Sequence, residues 1–162
     1  MTIRQTIHSI RDAIAPLYGE REAETIARMV VCNKLSYNFS QLVVHYDEKC
    51  EVAEFDRVIA ELKSGRPVQY VLGRAEFCEL EFEGAEGVLI PRPETEELVY
   101  RIAETAPRGA RILDIGTGSG AIAISLARLI EGEEVVAVDI SKEALAIARR
   151  NAERLDAKVE FV

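Results

Sequence analysis

Apolar residues recur every three to four positions through the first third of the chain, then every two positions for a short stretch. Ile3, Ile7, Ile10 and Ile14 share one helical face, which Pro16 and Gly19 are expected to close. Ala23, Ile26, Ala27, Val30 and Val31 mark a second helix, with Glu20, Glu22 and Glu24 at its positive end. Residues 36–40 form a polar break, after which QLVVHY suggests a short helix. Val52, Phe55, Val58, Ile59 and Leu62 predict a further helix, closed by Gly65. Each helix is apolar on one face and charged on the other, the pattern of a small bundle.

After Pro67 the period changes to two. AEFCELEFEGAEGVLI predicts a β-hairpin, with Gly84 and Gly87 marking its turn. Pro91 and Pro93 fix an extended entry into a helix with Leu98, Val99 and Ile102 inward, and Pro107 and Gly109 break it. From Ala110 the pattern reads β-α-β-α-β. RILDI is the first strand, 120–130 a helix, VVAVDI the second strand, and a helix capped by Ser141 leads to VEFV. Apolar strands alternating with helices predict a parallel sheet covered on both faces, one half of a doubly wound fold. A buried strand at the chain's end leaves a sheet edge open, so the sequence is expected to be a fragment of a longer protein.

Charge narrows the chemistry. Across 162 residues, 20 Lys and Arg face 28 Asp and Glu, a net charge of −8. That balance disfavours a binder of nucleic-acid backbone, while an acidic surface attracts a basic protein partner. Cys32, Cys50 and Cys78 are widely spaced and form no C-x-x-C, so reduced thiols in a cytosolic protein are expected, with no metal site. The N-terminus alternates charged and apolar residues too often for a signal peptide, and no apolar run is long enough to span a membrane.

The chemistry concentrates in ILDIGTGSGAIAISLA. Gly116, Gly118 and Gly120 follow a strand and open a helix, which permits a tight turn and lets a ligand approach backbone amides. Asp139 ends the next strand 23 positions beyond Gly116, where nucleoside-binding βαβ units place the acceptor for ribose hydroxyls. No Lys-Ser or Lys-Thr follows the glycines, which argues against a P-loop. Gly116, Gly118 and Ala121 also satisfy G-x-G-x-x-A, leaving a nicotinamide dinucleotide formally open. Asp114 weighs against it, because its charge opposes a pyrophosphate and favours an ammonium group. S-adenosylmethionine fits, with a ribose diol for Asp139 and an ammonium on its aminoacyl tail. His8 and His45 stand alone and are not read as catalytic.

LDIGTGSGAIAISLA followed by VVAVDIS resembles the first two motifs of class I S-adenosylmethionine-dependent methyltransferases. GRPVQYVLGRAEFCELEFEGAEGVLIPRPETEELV, residues 65–99, resembles the signature region of the release-factor glutamine methyltransferases. The resemblance implies an α/β architecture: an N-terminal helical bundle over 1–72 that binds substrate or partner, a β-hairpin connector over 73–91, and the incomplete start of a Rossmann-like methyltransferase domain over 92–162. It implies that Gly116, Thr117, Gly118, Ser119 and Gly120 wrap the aminoacyl part of S-adenosylmethionine and that Asp139 holds its ribose. It further implies transfer of a methyl group, in the cytoplasm, to the glutamine amide of the Gly-Gly-Gln loop of bacterial peptide chain release factors. The family's catalytic Asn-Pro-Pro-Tyr is absent from these residues, so no catalytic residue is expected within the chain and the fragment is expected to be inactive alone. Arg92 and Glu94 stay open between fixing a turn and covering the cofactor. Two other readings stand beside this one: an amino methyltransferase acting on a nucleic acid base, and a non-catalytic interaction module on a cofactor fold.

Overall fold

The computed structural model describes residues 1–50, 55–130 and 134–162. The chain divides into two compact units, Met1–Leu72 and Gly73–Val162.

The first unit is helical. Helix α1 (Ile3–Tyr18) begins in a reciprocal cap, in which the Gln5 amide donates to Thr2 Oγ1 and the Thr2 amide donates to Gln5 Oε1. It runs through Pro16 instead of ending there. Pro16 lies in the last turn, so its missing N–H forfeits a single helical bond. Buried Ile14 and the Tyr18 hydroxyl, which donates to the Leu62 carbonyl at 3.0 Å, hold that turn in place. Helix α2 (Glu20–Leu35) packs against it and buries Ala23, Ile26, Ala27, Val30 and Val31, as the periodicity predicts. Helix α3 (Phe39–Val44) starts earlier than the sequence suggests, because Asn38 and Gln41 form a second reciprocal cap. Helix α4 (Phe55–Lys63) buries Phe55 and Leu62, while Val52 lies outside the described residues. A five-residue helix α5 (Val68–Leu72), which the periodicity does not announce, follows.

The second unit opens with the hairpin β1 (Arg74–Phe77) and β2 (Leu80–Glu83). Its turn is Cys78–Glu79, not the Gly84–Gly87 stretch. Both turn residues have positive φ, 49° and 61°, without being glycine. Hairpin twist favours that two-residue geometry, and the Cys78 amide donates to Glu96 Oε1 at 3.1 Å, which secures it. Helix α6 (Pro93–Thr105) starts with Pro93 in its first turn. Val99 points fully inward, whereas Leu98 is 52% exposed, contrary to the inward face read from the sequence.

Strands β3 (Arg111–Ile115), β4 (Glu134–Val138) and β5 (Glu160–Phe161) form a parallel sheet in that order, joined by helices α7 (Ala121–Leu129) and α8 (Lys142–Arg154). This is the first half of a Rossmann-like fold, preceded by a helical unit and a hairpin. One face of the sheet buries Val135 and Ala137 against Ala123 of α7, with Ile112 beside them. The other face is not covered as the sequence pattern suggests: Leu113 is 58% and Ile115 76% exposed. Alternation along β3 explains the split, because Ile112 and Leu113 must point to opposite faces. Among the described residues, no helix is long and apolar enough to cross a membrane.

Candidate cofactor site

The carboxyl ends of β3 and β4 lie side by side, and the connection from β3 to α7 folds back onto β4. The Gly116 and Thr117 amides both donate to the Val138 carbonyl, at 2.8 and 3.0 Å. The Gly120 amide then donates to the Thr117 carbonyl, and α7 begins with the Ile124 amide on the Gly120 carbonyl. All three glycines have positive φ. They serve different needs. A Cβ on Gly116 or Gly118 would meet nothing within 4 Å, so no packed protein atom demands glycine there. A Cβ on Gly120 would lie 2.7 Å from Ile124 Cδ1 and 3.2 Å from Ala148 Cβ, so this glycine lets α8 approach the start of α7. Open space in front of the backbone at the first two positions is what a ligand seated on the loop requires.

Two carboxylates tie the loop. Asp114 Oδ2 accepts the Thr117 hydroxyl at 2.7 Å. Asp139, just beyond β4, accepts the Ser141 amide on Oδ1 at 2.9 Å and the Gly118 amide on Oδ2 at 2.8 Å. The backbone N–H of Ser141, then that of Gly118, hold the Asp139 carboxyl below its ordinary value of 3.8, against a smaller upward push from burial. It is therefore ionised at neutral pH. Each carboxylate oxygen carries a second lone pair, which leaves acceptor capacity for a diol.

A cavity of about 160 Å³ opens beside the loop, lined by Gly116–Ser119, Ala121 and Ile122 on one side. Phe77 from the hairpin, with Leu89, Pro91, Arg92 and Thr95, forms the other side. The expected residues thus separate into two groups. Gly116, Thr117, Gly118 and Ser119 face the cavity, while Gly120 supports the loop from behind and Asp139 joins through Gly118. Arg92 is the cation among the lining residues; Glu94 is exposed on α6. The Pro-Arg-Pro run signals a fixed turn in sequence, but which wall that turn forms depends on the hairpin and α6 packing around Phe77 and Val99. His45 lies in the first unit, its Nδ1 2.6 Å from Glu48 Oε1. Among the described residues, no group of three or more His, Cys, Asp or Glu is arranged to hold a metal ion.

Residues 8–73 match a family model described as the PrmC N-terminal domain, and residues 112–162 match one described as a methyltransferase domain. A release factor glutamine methyltransferase of Bacteroides thetaiotaomicron is 44% identical over 155 residues, 94% of this chain and 56% of the relative. One from Lactococcus lactis is 46% identical over 158 residues, covering 96% of this chain and 58% of the relative. Another, from Koribacter versatilis, is 51% identical over 113 residues, 68% of this chain and 40% of the relative. The chain spans about half the length of the curated relatives it matches.

Proposed function

Because this chain belongs to the release factor glutamine methyltransferase family, we propose that the protein carrying it methylates the glutamine side-chain amide in the Gly-Gly-Gln loop of bacterial peptide chain release factors. The methyl donor is S-adenosylmethionine, and the reaction takes place in the cytoplasm. The 1–72 helical bundle is the part that meets the release factor, and the later residues begin the methyltransferase domain.

The observation that carries the reading is the glycine loop bonded to Asp139 across adjacent parallel strand ends, with open space before Gly116 and Gly118. The residues present fit the cofactor. Asp139 offers ionised acceptor lone pairs to a ribose diol. Asp114 offers negative charge to the ammonium, and Arg92 offers positive charge to the carboxylate of the aminoacyl tail. Thr117–Ser119 line the cavity together with Arg92, and Asp114 and Asp139 are bonded to this loop through Thr117 and Gly118. When bound, the cofactor supplies an electrophilic methyl group on a sulfonium.

An amide nitrogen is a weak nucleophile, so positioning must supply much of the rate. The Asn-Pro-Pro-Tyr that performs this in the family is not among these 162 residues. The chain alone is therefore expected to show no turnover. A methyl-transfer assay on a release factor, run with the intact gene product and with this chain, tests both halves of the proposal. Titration calorimetry with S-adenosylmethionine against NAD tests the cofactor. Tighter binding of NAD, or turnover by the 162-residue chain, contradicts it.

A further inference from the structure

A single buried asparagine joins the glycine loop to the hairpin. Asn151, on α8, is completely buried. Its Nδ2 donates to the Ser119 carbonyl at 3.0 Å, and its Oδ1 accepts the Glu83 amide of β2 at 2.8 Å. Arg154 Nη2 also reaches Oδ1, at 3.3 Å. A backbone carbonyl can only accept and a backbone amide can only donate, so these partners fix which way the side-chain amide faces. No other side chain of this length and neutral charge offers both functions at once.

The Ser119 carbonyl belongs to the peptide linking Ser119 to Gly120, whose N–H points back to the Thr117 carbonyl at 2.9 Å. Thr117 in turn donates its hydroxyl to Asp114. Fixing one end of that peptide plane therefore fixes the loop between Thr117 and Gly120. The constraint matters because Gly118 and Gly120 flank it in left-handed conformations, and glycine allows several backbone states of similar energy. Ala148, three residues before Asn151 on the same face of α8, packs beneath Gly120. A fork from Arg150 to the Glu83 carboxylate, at 2.9 and 2.6 Å, holds β2 against α8 from outside.

We propose that Asn151 is a positioning residue of the cofactor site, selecting the one orientation of the Ser119–Gly120 peptide that presents the loop backbone to the ligand. The hairpin, through Glu83, is then part of the cofactor cradle. This inference rests on the S-adenosylmethionine reading given above.

Asn151→Asp tests it, because the aspartate keeps the acceptor for Glu83 but donates to Ser119 only when protonated. At about pH 8 the variant is expected to bind S-adenosylmethionine about tenfold more weakly than the parent, the equivalent of one buried hydrogen bond. Burial and the facing Ser119 carbonyl, which only the protonated acid can bond, raise the new carboxyl's pKa. The Glu83 N–H and Arg154 oppose them at Oδ1, but Arg154 is half exposed and shared with Glu81. Most of that loss is therefore expected to return by about pH 5.5, while the parent's affinity stays level. A loss of equal size at both pH values, or none, overturns the proposal. Amide resonances of Ser119 and Gly120 in cofactor-free protein provide a readout that does not depend on the cofactor's identity. They are expected to move with pH in the variant and not in the parent. If they do so while the parent ignores S-adenosylmethionine, the cofactor reading fails and the loop assignment stands. If the variant does not fold, the parent's own Asn151 side-chain amide protons decide. Slow exchange with solvent supports the bond to Ser119, and exchange as fast as an exposed asparagine overturns it.

Discussion

The Gly118 amide donates to Asp139 Oδ2 across 2.8 Å, so the residue beyond β4 also holds the middle of the loop that follows β3. The same carboxylate accepts the Ser141 amide at the approach to α8. One side chain thereby joins two loops, and its part in ligand binding and its part in loop order are physically linked.

Replacing Asp139 with alanine removes the diol acceptor and unpairs two backbone N–H groups. Hydrogen bonds to a charged group are each worth about 1.5–3 kcal/mol, so affinity for S-adenosylmethionine is expected to fall about 10- to 100-fold. Asp139→Asn, which keeps one oxygen acceptor, is expected to fall between. Calorimetry of the three proteins checks the order, and unchanged affinity in the alanine variant removes Asp139 from the site.

Glycine-to-alanine substitutions separate the loop's two requirements. Gly118→Ala meets only the left-handed backbone penalty, about 1–2 kcal/mol. Gly120→Ala adds a collision with Ile124 and Ala148, and about 2–4 kcal/mol is expected in total. Urea midpoints measure the difference; equal losses would mean that α8 does not approach Gly120 as described.

The hairpin turn offers a change in the opposite direction. Exposed Glu79 has φ 61°, a region that glycine occupies without strain. Glu79→Gly is expected to raise stability by up to about 1 kcal/mol, after allowing for glycine's freer unfolded chain. A lower thermal midpoint would count against the two-residue turn.

Acid stability depends on the clamp between β2 and α8. The Arg150 guanidinium, by its hydrogen bonds and then its charge, holds the Glu83 carboxyl below its ordinary 4.5. A depressed carboxylate pKa means that the unfolded chain takes up the proton first as pH falls. The contribution is therefore full above about 4.5 and is lost as pH drops from there through the folded value. Asp139 acts in the same direction from its ordinary 3.8 downward. Urea unfolding between neutral pH and about pH 3 is expected to decline only in this acid range, and Arg150→Gln to flatten the Glu83 part. A decline already complete at pH 6 would contradict it.

Much of this was legible in the chain because it is local. The isoleucines of α1 are four or three residues apart, and helical period alone puts them on one face. Gly116–Gly120 between a strand and a helix, with Asp139 one βα unit later, needs no tertiary information either. The turn at Cys78–Glu79 was hidden because neither residue is a usual turn former, and its support comes from Glu96, eighteen positions away. Leu98 and Val99 both read as apolar positions of α6, but only packing against the hairpin and α7 decides which is buried.

The sequence by itself determined the passage from helices to a hairpin to alternating strands and helices, with the glycine loop and its acidic partner, since these follow from spacing along one chain. Only the tertiary structure decided that Asn151 grips the loop and that Arg92 and Thr95 wall its cavity. Those relationships join residues dozens of positions apart, and spacing along the chain carries no record of which distant groups will share a hydrogen bond.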